Sequence, residues 1–225
     1  MKAVEPERLT IEVAKAGTVS ALLLYPNSPL ACFVFAHGAG AGMMHPFMEK
    51  FANGLYERGV ASLRYQFPYM EKGGKRPDPP AVAQATVRAA VAVAEKKFPR
   101  LPLIAGGKSF GGRMTSQAQA IAPLAGVRGL AFVGFPLHPS GKPSTERAEH
   151  LDRVDVPMLF LQGSRDTLAE TALIEAAVRR LGPLARLHLV DGADHSFHVP
   201  ARSGRKDEDA MREILDAFVD WAEAI

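Results

Sequence analysis

The stretch GGKSFGG, Gly106 to Gly112, lies between an apolar run and a segment patterned as a helix, and it admits two incompatible parses. Ending on Gly107-Lys108-Ser109, it is the tail of a phosphate-binding loop; centred on Ser109, it is a GxSxG nucleophile elbow. A phosphate loop of the form GxxxxGK[ST] would need its first glycine at position 102, which is Pro102. Leu103, Ile104 and Ala105 would then have to form the flexible cradle, yet they read as an apolar strand. Apart from Asp166, no strand-end aspartate is well placed to hold magnesium. The elbow parse accounts for the glycines instead. A strand-to-helix turn this sharp strains the nucleophile's backbone, so the residues two before and two after it must be small. Gly107 and Gly111 occupy those positions.

Outward from the elbow, the chain alternates strand and helix patterns. Leu9–Ala14 and Val19–Tyr25 are short and β-prone and read as a hairpin at a sheet edge. Ala31–Ala36, Val60–Arg64, Leu101–Ala105, Gly129–Gly134, Pro157–Leu161 and Arg186–Val190 are apolar without strict alternation, as strands covered on both faces require. Helical candidates lie between and after them: Pro46–Arg58, Ala81–Phe98, Gly111–Ala122, Leu168–Leu181 and Asp207–Ala224. In the last, Met211, Ile214, Leu215, Phe218, Val219 and Ala222 recur at helical spacing. The pattern predicts a three-layer α/β fold over residues 1–225 as one domain, with a mostly parallel eight-stranded sheet and an antiparallel N-terminal edge. Two polar stretches, Glu71–Pro80 and Leu137–His150, are expected to be surface loops or a site rim.

Composition narrows the function classes. The 225 residues are 47% hydrophobic and 23% charged, within the globular range. A net charge of +3, with 27 Lys and Arg spread along the chain, argues against a nucleic-acid partner. The single Cys32 excludes an internal disulfide and fits a reducing compartment. No secretory leader pattern is present, and no apolar run reaches the roughly 20 residues of a membrane helix. The expectation is a soluble, cytoplasmic monomer or homodimer that acts on a small molecule. His45, His138, His150 and His198 lack metal-ligand spacing, so neither metal nor cofactor is expected.

A serine hydroxyl needs a base, and the base needs a carboxylate to hold its tautomer. For an elbow of this kind the order along the chain is Ser, acid, His. After the strand at Pro157–Leu161 comes QGSRD, ending in Asp166; after the last strand comes DGADHSF, carrying His195. Three strand-end loops thus supply Ser109, Asp166 and His195 in the required order. Asp191 and Asp194 are the competing acids, and a surface role is the competing reading of His195.

The segments FVFAHGAG, GGKSFGG, QGSRD and GADHSF together resemble an α/β-hydrolase, similar in size and strand plan to dienelactone-hydrolase-like proteins and compact carboxylesterases or thioesterases. The resemblance implies that the backbone amides of Ala39, in the loop His37–Gly42, and of Phe110 form an oxyanion hole, with the donor in the Gly-rich loop open by one position. His37 is expected to hold that loop by hydrogen bonds. Dienelactone hydrolases use a cysteine nucleophile, whereas this elbow carries Ser109 and Cys32 lies inside a strand. The implied activity is hydrolysis of an ester, thioester or similar acyl bond through an acyl-enzyme. A non-catalytic binding or scaffold protein and a small serine peptidase are the alternatives. Met43, Met44, Phe135, Leu137 and Phe197 flank the site loops and are expected to line an acyl pocket. Lys108 and Arg113 flank the nucleophile; a solvated role or an ion pair is expected of them, with a preference for anionic substrates as the sharper alternative.

Overall fold

In the computed structural model, which describes residues 4–225, the eight strands form one sheet in the order β1-β2-β4-β3-β5-β6-β7-β8. They are β1 (Glu7–Val13), β2 (Gly17–Leu24), β3 (Ala31–Ala36), β4 (Val60–Tyr65), β5 (Leu103–Lys108), β6 (Val127–Val133), β7 (Met158–Gly163) and β8 (Ala185–Val190). β2 runs antiparallel to both β1 and β4, and every later pairing is parallel. The expected fold class, with its antiparallel N-terminal edge, is what the chain adopts. The helices are α1 (Pro46–Glu57), α2 (Pro68–Glu71), α3 (Pro80–Lys97), α4 (Phe110–Ile121), α5 (Thr171–Leu181) and α6 (Asp207–Ala222).

Strand alternation divides the core into two layers. In β3, Ala31, Phe33 and Phe35 face α1 and α6, while Cys32, Val34 and Ala36 face the layer of α3, α4 and α5. Because both faces are covered, β3 is buried at every position, which is why its sequence shows no polar alternation. The α1/α6 side is built on aromatic rings: Phe33 lies 4.9 Å from Phe218 and 4.7 Å from Phe35, which in turn lies 5.1 Å from Phe51. Offset and tilted pairs of this kind add to the burial term.

Three sequence readings need correction. β5 begins at Leu103 and continues through Gly106 and Gly107, whose backbones pair with Phe35 and Ala36 on one side and Ala131 and Phe132 on the other. Glycine carries no hydrophobic signal, so the apolar run stopped short of the strand's end. The polar stretch Leu137–His150 runs into a 3₁₀ helix, Glu146–Arg153, anchored by buried Ala148 and Leu151. The short α2 was not anticipated; it begins at Pro68, which suits a first helical turn.

Candidate active site

The turn between β5 and α4 places Ser109 at φ 50°, ψ −114°, a conformation that a residue with a side chain adopts only at a cost. A Cβ on Gly107 would stand 2.5 Å from the Ala36 carbonyl oxygen, and one on Gly111 would stand 2.6 Å from those of Ala36 and His37. The elbow therefore needs glycine at both places because the end of β3 presses against it. The Ser109 amide donates to the Val133 carbonyl at 3.1 Å, fixing the turn to β6.

His195 meets Ser109 across the ends of the sheet. Its Nε2 lies 2.9 Å from Ser109 Oγ, and its Nδ1 lies 2.6 Å from Asp166 Oδ2. With Nδ1–H donated to the carboxylate, Nε2 is free to accept the serine proton. Asp166 is only 3% exposed. Its Oδ1 accepts the Leu168 amide at 2.8 Å, and its Oδ2 accepts Gln162 Nε2 at 2.5 Å. The competing carboxylates are used elsewhere. Asp194 Oδ1 caps its own turn, accepting the amides of Ser196 and His198, and Asp191 accepts the Ser164 hydroxyl. Gln162, which sequence reasoning missed, accepts the Phe135 amide through Oε1 while donating to Asp166. Its signal was a polar residue inside an otherwise apolar strand.

The Gly-rich loop after β3 is tied to β4 and the turn that follows it. Gln66 Oε1 accepts the Met43 amide at 2.8 Å, Arg64 donates to the Met43 carbonyl at 3.2 Å, and the Gly40 amide donates to the Tyr69 hydroxyl. His37 accepts the Phe67 amide on Nε2, so Nδ1 carries the proton donated to the Gly38 carbonyl. Burial pushes this imidazole's pKa down to about 4, the Gly38 bond pulling the other way, and the ring is neutral and structural. The amide of Phe110, at the first position of α4, has no acceptor within its own helix.

Ser109 and His195 line a cavity of about 320 Å³. Ala39, Ala41, Phe47, Met48 and Lys108 line it with them. A wider groove of about 440 Å³ between α1 and α6 is walled by charged residues such as Lys50 and Glu208, which pair with each other, and holds none of the three residues above. The expected acyl-pocket residues do not line the cavity at Ser109. Phe135 and Leu137 are fully buried in the core, Met43 and Phe197 are nearly so, and Met44 is 58% exposed beside a different groove. Adjacency along the chain does not fix a side chain's direction, and the apolar wall comes instead from Phe47 and Met48 in the first turn of α1. Nor is Lys108 free in solvent or ion-paired: it is partly buried at the cavity wall, and its ammonium donates to the His195 carbonyl at 2.6 Å. Arg113 is absent from the cavity wall, and its Nε is buried without a partner.

Among the described residues, no group of three or more His, Cys, Asp or Glu is placed to hold a metal ion, and no helix is long and apolar enough to cross a membrane.

A family model described as "Alpha/beta hydrolase domain" matches residues 29–223. Among solved structures, the chain is similar to a dienelactone hydrolase from Anabaena variabilis at 21% identity and TM-score 0.76, covering 97% of each chain. It is also similar to an α/β serine hydrolase without a lid from Xanthomonas campestris, at 20% identity and TM-score 0.73, covering 98% of this chain and 96% of that one. The esterase domain of a Rhodothermus marinus protein matches at 16% identity and TM-score 0.73, over 97% of this chain and 98% of its own.

Proposed function

The chain belongs to the α/β-hydrolase domain family, and from that premise we propose that it is a serine hydrolase cleaving an ester or thioester through an acyl-enzyme. The observation that carries the proposal is the unbroken hydrogen-bond chain from Asp166 through His195 to Ser109, opening onto a cavity. In the proposed reaction Ser109 Oγ attacks the acyl carbonyl as its proton passes to His195 Nε2. The amides of Ala39 and Phe110 receive the developing oxyanion, each such donor being worth roughly 10² to 10³ in rate. His195 then protonates the leaving alcohol or thiol. Water, deprotonated by the same nitrogen, attacks the acyl-serine, and collapse of the second tetrahedral species releases the acid and returns the proton to Ser109. Asp166 steadies the imidazolium in both halves.

The cavity, about 320 Å³, lies at the small end of ligand sites, which supports a short acyl group as the substrate. The test is labelling with a fluorophosphonate followed by hydrolysis of p-nitrophenyl and thioester series of increasing acyl length. Folded protein is expected to be modified at Ser109, Ser109→Ala to stay unlabelled, and turnover to be highest with short chains. Failure of the folded wild type to label, or equal labelling of Ser109→Ala, would sink the proposal.

A further inference from the structure

We infer that Lys108 is the positioning residue that sets the base against the nucleophile, by tying the main chain of His195 to the end of the strand that carries Ser109. The inference rests on the serine-hydrolase reading. The elbow demands small residues at Gly107 and Gly111 but makes no demand on the residue between Gly107 and Ser109. A lysine partly withdrawn from water there is costly unless its surroundings compensate. They do so on several sides. The ammonium donates to the His195 carbonyl at 2.6 Å and lies 5.7 Å from the ring centroids of both Phe47 and Phe197, which stack on each other at 6.0 Å. At the end of β6, Gly134 has φ 71°, and a Cβ there would come within 2.9 Å of Lys108 Nζ and 3.3 Å of His195 Cε1. The space in which ammonium and imidazole meet therefore depends on a missing side chain.

Sheet order explains why such a tie is needed. β5, which delivers Ser109, and the loop after β8, which delivers His195, are separated by β6 and β7. No ladder hydrogen bond joins them directly; the ladders that relate them pass through both intervening strands. Asp166 holds the imidazole ring, but it leaves the main chain of the His195 loop unanchored to β5. Lys108 supplies that anchor as a charge-assisted hydrogen bond, the stronger kind. The charged and titratable groups facing it are Asp166, Asp194 and His195, with His45, the N-cap of α1, lining the same cavity; α1 also presents Phe47 and Met48, and the end of β6 presents Gly134. Desolvation lowers the ammonium's pKa to about 8, with Asp166 and Asp194 pulling it back up.

The experiment compares wild type, Lys108→Met and Lys108→Arg by steady-state kinetics on a neutral p-nitrophenyl ester from pH 6 to 10. Fluorophosphonate labelling and thermal melting run alongside. Misplacing the base should lower kcat of Lys108→Met about 10²-fold while KM changes little. The wild-type kcat should decline above about pH 8, where the cation is lost. Lys108→Arg, whose cation persists, should recover most of the rate and lack that decline. Should Lys108→Met not fold, the comparison of wild type with Lys108→Arg decides the matter: an identical alkaline decline in both overturns the inference. A folded Lys108→Met with wild-type kcat, or one altered only in KM, also overturns it. An unlabelled, inactive wild type overturns the hydrolase reading and this inference with it; an active wild type beside an unimpaired Lys108→Met overturns the inference alone.

Discussion

Asp166 and Asp194 both precede His195 in the chain, one in a separate loop and one adjoining it, and what separates their roles is the set of donors each one meets. Asp166 accepts from Gln162, Leu168 and the imidazole; Asp194 accepts from two amides of its own turn. Asp166→Asn should therefore cut kcat by about 10⁴ through loss of the tautomer, as an acid-to-amide change does in a triad. Asp194→Asn should cost far less, because an amide oxygen still caps the turn. Ester hydrolysis by the two variants side by side is the check, and equal losses would contradict the assignment. His37 gives a prediction about pH. Its folded pKa of about 4 lies below the unfolded 6.5, so between those values the unfolded chain binds a proton that the folded chain does not. Stability should rise with pH across that window and be lost on acidification, His37 contributing about 3 kcal/mol. His150, also pushed down to about 4 by burial and then by Arg153 and Arg113, acts in the same direction. Urea unfolding at pH 7, 5.5 and 4.5 measures the slope, and a flat profile would contradict neutral, buried imidazoles.

Among the elements, the elbow joining β5 to α4 tolerates the least change. Gly111→Ala places a methyl group 2.6 Å from two carbonyl oxygens at the end of β3, where backbone rather than a flexible side chain must yield. The expected loss is about 1 to 3 kcal/mol, in the range of overpacking, seen as a lowered melting temperature together with reduced fluorophosphonate labelling. The loop after β3 depends on β4 for its shape. Gln66→Leu would leave the Met43 amide without its acceptor and loosen the segment that presents Ala39. If that amide serves the oxyanion, kcat should fall more than KM rises, because the interaction strengthens only as charge develops. The glycines of the elbow and the order of the three site residues were legible in sequence, since turn chemistry and chain order are local facts. The clamps of Gln66, Arg64 and Tyr69 were not, because each joins segments more than 20 residues apart and carries no spacing rule.

At the scale of the whole molecule, the sheet's two faces are closed by different helices, and the aromatic layer under α1 and α6 supports the cavity wall from behind. Phe218 is fully buried against Phe33, Phe51 and Trp221. Phe218→Ala should cost about 3 to 5 kcal/mol, read as a lower urea midpoint. A shift below about 1 kcal/mol would mean that this layer collapses to fill the gap. The sequence by itself determined the layered fold and the order in which Ser109, Asp166 and His195 follow strand ends, because doubly covered strands must be continuously apolar and an elbow must be flanked by glycine. It favoured Asp166 over Asp191 and Asp194 on loop position without showing a contact, and it placed the acyl pocket on Met43, Met44, Phe135, Leu137 and Phe197, of which none lines the cavity. Those matters were decided only by tertiary structure. The separation between the ends of β5, β7 and β8 follows from sheet order, which brings together residues far apart in the chain. Lys108 shows the same division: its place beside Ser109 was plain in GGKSFGG, but its bond to the His195 carbonyl arises only when the loop after β8 reaches back over the ends of two intervening strands to the end of β5.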